Sequence, residues 1–154
     1  MEKTNVMRLL DAAKLTYTPY EYDRQLTDGE KIASFLGEDP ERVFKTLVTR
    51  GNDNNYYVFC VPVAHSLNLK KAAKSVGIKS IEMIYQKDLL PLTGYIHGGC
   101  SPIGMKKKFK TIINDTAILF DKIFVSGGRV GFQVELNPNL LKDYVNAQFL
   151  DIID

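Results

Sequence analysis

Capped helical segments interspersed with hairpin-like strand pairs predict an α+β fold: a mixed, barrel-like β-sheet surrounded by helices. Three observations carry this. Helix starts are marked at Thr4-Asn5, Thr27-Asp28-Gly29-Glu30, Asn68 and Asn137-Pro138. Apolar runs of strand length flank turn clusters at Gly51-Asn52-Asp53-Asn54-Asn55 and Ser126-Gly127-Gly128. The strands do not alternate regularly with helices, which argues against a doubly wound parallel sheet. No linker, repeat or low-complexity segment interrupts the 154 residues, so one domain is expected over 1–154.

The elements follow in order. Thr4 or Asn5 caps a first helix with Val6, Leu9, Leu10 and Ala13 at helical spacing. Tyr17 to Tyr22 alternates and contains Pro19, which places it at a sheet edge. The capping-box pattern from Thr27 to Glu30 opens a second helix carrying Ile32, Ala33 and Leu36, and Gly37 stops it. Asp39-Pro40-Glu41 resembles a further helix start, a short turn feeding the next strand. Residues 43–50 and 56–63 form a hairpin. Asn68 caps a third helix through Lys74, with Leu69, Ala72 and Ala73 inward and Gly77 at its end. Short strands are expected at 80–84 and 94–97, with a brief helix from Gln86 to Leu90 between them. Strands near 110–114 and 122–126 precede a glycine turn and a strand from Val130 to Leu136. Asn137-Pro138 then opens a helix of about two turns, and Phe149 to Ile153 closes as a strand.

Composition excludes several classes. A net charge of +2 is too small for a strongly cationic nucleic-acid coat, although local basic patches remain. Two cysteines, Cys60 and Cys100, make no disulfide framework and no CxxC pair. The start lacks the apolar core of a signal peptide, and no apolar run approaches membrane-spanning length. A soluble, reduced, cytoplasmic protein with no membrane partner is expected. His65, His97, Cys60 and Cys100 show no metal-ligand spacing, so no metal is expected.

The most informative residue is Lys45, set in the strand-like run Val43-Phe44-Lys45-Thr46-Leu47-Val48. Alternation puts it on the same face as Val43 and Leu47. Burying an unpaired ammonium is costly, so such a lysine reaches solvent at an edge, pairs, or faces a cavity that an anionic ligand completes. Gly98-Gly99-Cys100-Ser101-Pro102-Ile103-Gly104 is a loop whose backbone can approach a ligand closely, or a plain strand-to-loop turn. It lacks the Gly-Lys-Ser/Thr ending of a P-loop, so phosphate transfer is not expected. His97 and Cys100 suggest a nucleophile–base pair, but nothing marks a third, orienting residue. Ser126-Gly127-Gly128-Arg129 is a hairpin turn that also offers donors to a ligand. Lys106, Lys107, Lys108 and Lys110 form one basic cluster and Lys70, Lys71 and Lys74 another, either solvated faces or contacts for a phosphate backbone.

Taken in order, these pieces match a known pattern: Val-Phe-Lys45-Thr46-Leu; Pro62-Val63 with the Leu69–Lys74 helix; Thr93-Gly94-Tyr95-x-x-Gly-Gly-x-Ser-Pro102-x-Gly; and Val125-Ser126-Gly127-Gly128. The succession covers nearly the whole chain and resembles the YbaK/EbsC proteins, relatives of the bacterial prolyl-tRNA synthetase editing domain. The resemblance implies hydrolysis of mischarged Cys-tRNA(Pro), and of Cys-tRNA(Cys), on a mixed, barrel-like sheet ringed by helices. It implies no cofactor, and as partners the acceptor end of a mischarged tRNA and prolyl-tRNA synthetase. Lys45 matches the family's key lysine, which neutralises the terminal phosphate or ribose region and orients the ester. Gly98, Gly99, Cys100, Ser101 and Pro102 match the GxxxP loop against the aminoacyl group. Tyr20, Thr46, Tyr95, Ser126, Gly127 and Gln133 match positions around the same pocket. In the cysteine-selective branch the substrate's own thiol attacks its ester and leaves as a thiolactone, so no protein nucleophile is required.

Two positions depart from that pattern. Gln133 stands where a cysteine-type member carries an acidic residue, and Asp28 lies near an expected aromatic wall. Three alternatives stay open: a deacylase for another ester such as Ala-tRNA(Pro), a non-catalytic tRNA- or synthetase-binding module, and a small anion-binding protein.

Overall fold

The computed structural model describes residues 1–154. Helix α1 (Asn5–Ala12) is capped by Thr4, whose Oγ1 accepts from the Met7 N–H at 3.3 Å, and it buries Val6, Met7 and Leu10. Strand β1 (Thr18–Glu21) is an edge strand, as Pro19 requires. Helix α2 (Gly29–Leu36) starts from Asp28 rather than Thr27, because the Asp28 carboxylate reaches the Glu30 N–H at 3.4 Å. Asp39-Pro40-Glu41 forms a turn and no helix: Asp39 Oδ1 accepts from Glu41 N–H and the Asp39 carbonyl from Arg42 N–H.

Strands β2 (Phe44–Gly51) and β3 (Tyr56–Pro62) form the expected antiparallel hairpin. Helix α3 (Leu69–Ser75) is capped by Asn68 and packs through Ala72 and Ala73; Leu69, expected inward, is exposed in the first turn. After β4 (Ile81–Met83), a 3-10 turn at Gln86–Asp88 leads into α4 (Leu89–Thr93). The strand expected at 94–97 is absent. Gly94 ends α4 in the left-handed region at φ +82°, and the segment continues as a loop held by the Tyr95 side chain, whose hydroxyl donates to the Ile103 carbonyl.

Strand β5 (Lys110–Asn114), an unanticipated 3-10 helix at Asp115–Leu119, β6 (Ile123–Ser126), β7 (Phe132–Leu136), α5 (Pro138–Tyr144) and β8 (Gln148–Leu150) complete the chain. The last strand is shorter than expected because the buried Asn114 side chain takes the Ile152 N–H at 3.0 Å, which ends the ladder.

The sheet is mixed but divides in two, and it does not close into a barrel. One sheet is antiparallel with order β1-β7-β6; the other has order β4-β2-β3-β5-β8, with β3, β5 and β8 mutually parallel. The two meet at a single parallel bridge, Val43 to Phe124, where the Phe124 N–H donates to the Arg42 carbonyl at 2.9 Å.

Pleating sends alternate residues of β3 into two cores, which explains its nearly continuous apolar sequence. Cys60 joins Phe44, α1 and the inner face of the three-stranded sheet in one core; Phe59 and Val61 join α3 and Ile152 in another. A third, small cluster of Ala33, Val43, Val63 and Phe124 seats α2 where the sheets meet. Phe44 is 2% exposed in the largest core, and its truncation to alanine should cost about 3–5 kcal/mol. No helix is long and apolar enough to cross a membrane.

Candidate functional site

The antiparallel register of the three-stranded sheet sets Tyr20, Gln133 and Ser126 directly abreast, so their side chains share one face. Phe124 and Glu135 lie on the same face by alternation, and the Tyr20 and Phe124 rings pack at 5.4 Å between centroids. Val43 and Phe124 are bridged in parallel, and Lys45 and Ser126 each follow two residues on, on the same side of their strands as the bridged pair. One strand of the five-stranded sheet and all three strands of the other therefore contribute to a single row: Lys45, Ser126, Gln133, Tyr20.

Lys45 is half-buried, and no carboxylate lies within ion-pair distance of its ammonium. Ser126 is buried and its Oγ accepts from the Gly128 N–H at 3.1 Å, which leaves the hydroxyl proton free to donate. Tyr20 donates its hydroxyl proton to Glu135 Oε1 at 3.0 Å, while Glu135 Oε2 pairs with Arg42 at 2.7 Å. Arg42 is fixed in turn by Glu38 at 2.9 Å and by the Lys122 carbonyl at 3.1 Å. Burial first, and then the neighbouring Glu135 carboxylate, raise the Tyr20 pKa, so its phenol stays protonated.

The 98–102 loop closes against this row. A β-carbon on Gly99 would stand 3.0 Å from the Val130 nitrogen and 3.2 Å from the Arg129 carbonyl carbon, so the loop backbone packs directly on the turn after Ser126 and Gly127. Gly98 lies against Thr27 at the start of α2. Ser101 is buried and accepts from the Ile103 N–H at 3.1 Å, which shapes the loop rather than facing a ligand, and Pro102 is buried beside it. Tyr95 braces the loop from behind: it touches Gly104 and Gly128, and burial pushes its phenol up to about 12.

Thr46, like Ser101, Tyr95 and Cys100, does not join the row. It points to the opposite side of β2, where its Oγ1 meets Cys60 Sγ at 3.8 Å. Cys100 is part-buried near Cys60, and burial pushes both thiols up to about 12. His97 is exposed and forms no hydrogen bond with Cys100, so no nucleophile–base pair exists there. His65 lies instead against Glu41 at 2.7 Å. Asp28, where an aromatic wall was expected, is the cap of α2.

Three residues escaped sequence reasoning. Arg42 and Glu135 hold Tyr20, and Tyr22, two residues beyond Tyr20, lies buried on the same face. The alternation Tyr20, Tyr22 and Gln133, Glu135 was the available signal. The basic clusters separate: Lys71 is engaged by Asp151 and the Ile153 carbonyl, whereas Lys107, Lys108 and Lys110 line, with Lys142, a groove of about 1300 Å³ that contains no carboxylate and begins at Pro102.

Residues 23–144 match the family model of the aminoacyl-tRNA editing domain. The protein EbsC of Enterococcus faecalis (strain ATCC 700802 / V583), provisionally named a Cys-tRNA(Pro)/Cys-tRNA(Cys) deacylase, is 44% identical over 153 residues, 98% of this chain and 93% of EbsC. The proline–tRNA ligase of Thermosipho melanesiensis (strain DSM 12029 / CIP 104789 / BI429) is 29% identical over 124 residues, 80% of this chain but only 22% of the ligase. A crystal structure provisionally described as a trans-editing enzyme for prolyl-tRNA synthetase superposes with a TM-score of 0.84 at 21% identity, covering 100% of this chain and 99% of that one, which establishes a shared fold. The chain belongs to the aminoacyl-tRNA editing domain family.

Proposed function

We propose that the protein is an aminoacyl-tRNA deacylase that clears mischarged Cys-tRNA(Pro), with Cys-tRNA(Cys) as a further substrate. The observation that carries this is the half-buried, unpaired Lys45 two residues beyond the junction of the two sheets, in a chain 44% identical to a protein named for that activity. An ammonium without a protein counter-ion suits an anionic ligand, and the terminal phosphate of an acceptor end supplies one. The groove lined by Lys107, Lys108, Lys110 and Lys142 supports the RNA beyond that end by charge alone.

The ester needs little further activation. The substrate cysteine thiol loses its proton and its sulfur attacks the ester carbonyl; the C–O bond to the ribose breaks, the ribose oxygen takes a proton, and a four-membered thiolactone leaves for hydrolysis by water. The protein contributes position and donors: Lys45 orients the ester, and Ser126 and the loop amides support the carbonyl. Cys60 and Cys100, both held as protonated thiols at neutral pH, are unsuited to compete as nucleophiles. Selection for cysteine then comes from the chemistry of its thiol, where a pocket alone separates similar side chains weakly. Thr46, facing Cys60, contributes through its backbone position in β2 rather than its hydroxyl. Prolyl-tRNA synthetase is the proposed partner, and its addition should raise turnover at physiological salt; no change would count against it.

The test is single-turnover deacylation of Cys-tRNA(Pro), Ala-tRNA(Pro) and Pro-tRNA(Pro). Wild type should clear the cysteine ester selectively, and Lys45→Ala should slow it about 10- to 100-fold, the worth of one charge-assisted contact. Faster loss of the alanine ester would move the specificity; no loss of any ester would leave a binding module.

A further inference from the structure

The protein buries only two side-chain oxygen or nitrogen atoms without a hydrogen-bond partner, Tyr22 Oη and Gln133 Oε1. They are neighbours. Gln133 is abreast of Tyr20, and Tyr22 follows two residues on, held by its N–H to the Gly131 carbonyl at 2.8 Å. Both side chains are therefore on the row's face, and both are more than nine-tenths buried, at 6% and 5% exposure. Burial raises the Tyr22 phenol above its ordinary pKa, and the Gly131 backbone and the Gln133 side chain beside it oppose that shift. Two other hydroxyls of the row are engaged: Tyr20 with Glu135, and Ser126 with Gly128. Native folds rarely leave such atoms without partners, and the exceptions mark places where something else completes them.

Two adjacent neutral oxygens, with no carboxylate between them, call for a compact group rich in donors. An ammonium has three donors and no acceptor; an ester carbonyl has the reverse. Within an aminoacyl ester, the group of that kind next to the carbonyl is the α-amine. We propose that Tyr22 Oη and Gln133 Oε1 together form the subsite for the α-amino group of the aminoacyl ester, with Tyr22 as a specificity-determining residue. The inference rests on the deacylase reading above. Because the pair is neutral, it also accepts the uncharged amine, toward which the Tyr22 hydroxyl turns its proton.

The experiment compares Cys-tRNA(Pro) with 3-mercaptopropionyl-tRNA(Pro), which keeps the thiol and the ester and lacks the amine. Each rate is divided by the uncatalysed rate of the same ester. Wild type should favour the cysteine ester at least about tenfold, one lost hydrogen bond to a charged group. Tyr22→Phe and Gln133→Leu should each slow the cysteine ester about tenfold, leave the deaminated ester within about twofold, and so erase the preference. Tyr22→Phe also deletes an unpartnered buried hydroxyl, so its melting temperature should match or exceed that of wild type, which a structural role would not allow. Equal slowing of both esters, or an unchanged preference, overturns the subsite and leaves the deacylase standing. Hydrolysis of neither ester by wild type overturns both.

Discussion

Glu135 is the hinge between stability and the site, and its removal can be worked through from the structure. Its side chain is 14% exposed and holds two partners at once, the Tyr20 hydroxyl at 3.0 Å and the Arg42 guanidinium at 2.7 Å, whose own side chain is 25% exposed. Glu135→Ala loses a hydrogen bond to a charged acceptor, worth about 1.5 kcal/mol, and a partly buried ion pair worth about 1 kcal/mol. Arg42 is not orphaned, since Glu38 and the Lys122 carbonyl still hold it, so the larger penalty of an abandoned buried charge does not arise. The expected loss is about 2–3 kcal/mol, which for a chain of this size lowers the melting temperature by roughly 5–10 °C. Urea denaturation gives the free energy directly, and a double-mutant cycle with Tyr20→Phe should return a coupling of about 1 kcal/mol. Deacylation should fall with it, because Tyr20 loses the contact that fixes its ring over Phe124. A loss below about 0.5 kcal/mol with no coupling would mean that the pair behaves as an ordinary surface contact, and the claim that Glu135 positions Tyr20 would fail.

Three further perturbations test the site from other directions. Cys60 and Cys100 hold their protons up to about 12, against 9.0 for an ordinary thiol, so alkylation of the native protein at pH 8 should run about a thousandfold slower than of the unfolded chain. The same shift sets the sign of the alkaline stability curve: above pH 9 the unfolded chain releases protons that the native thiols keep, and above pH 10 Tyr95 adds to this, so stability must fall as pH rises from 9 toward 12. A urea midpoint that rises between pH 8 and pH 10 would contradict that burial. Gly99→Ala forces a β-carbon against the backbone of Arg129 and Val130, with no flexible side chain to yield, and should cost about 1–3 kcal/mol of stability while lowering deacylation at least about tenfold. Unchanged turnover would show that the loop can withdraw from the turn without consequence for the ester.

Much of the architecture was legible because local chemistry reports local structure. Thr4, Asn68 and Asn137 cap the helices expected of them, and the Gly51–Asn55 turn joins the expected hairpin. Errors fell where a side chain outbid a backbone pattern. Asp28 reaches its cap bond ahead of Thr27, the Tyr95 hydroxyl ties its segment to Ile103 instead of letting it pair, and Asn114 cuts the last strand short by taking the Ile152 N–H. Each depends on a contact that spacing along the chain does not encode, or encodes ambiguously.

The site divides in the same way. The sequence by itself singled out Lys45, the glycine loop and the serine–glycine turn as candidates, because a lysine in an apolar strand and paired glycines are chemically unusual wherever they occur. It also determined which strand residues share a face, since the period of the pleat is two. Only the tertiary structure decided that the sheet parts into two and rejoins at Val43 and Phe124, two residues before Lys45 and Ser126 on their strands. It alone decided that Thr46 turns away toward Cys60, that Glu135 and Arg42 hold Tyr20, and that Tyr22 and Gln133 are left on one face with an oxygen each lacking a partner. The physical reason is one of range: alternation and capping act over a few residues, whereas Val43 meets Phe124 and Tyr20 meets Glu135 through register between distant strands, which only the packed sheets establish.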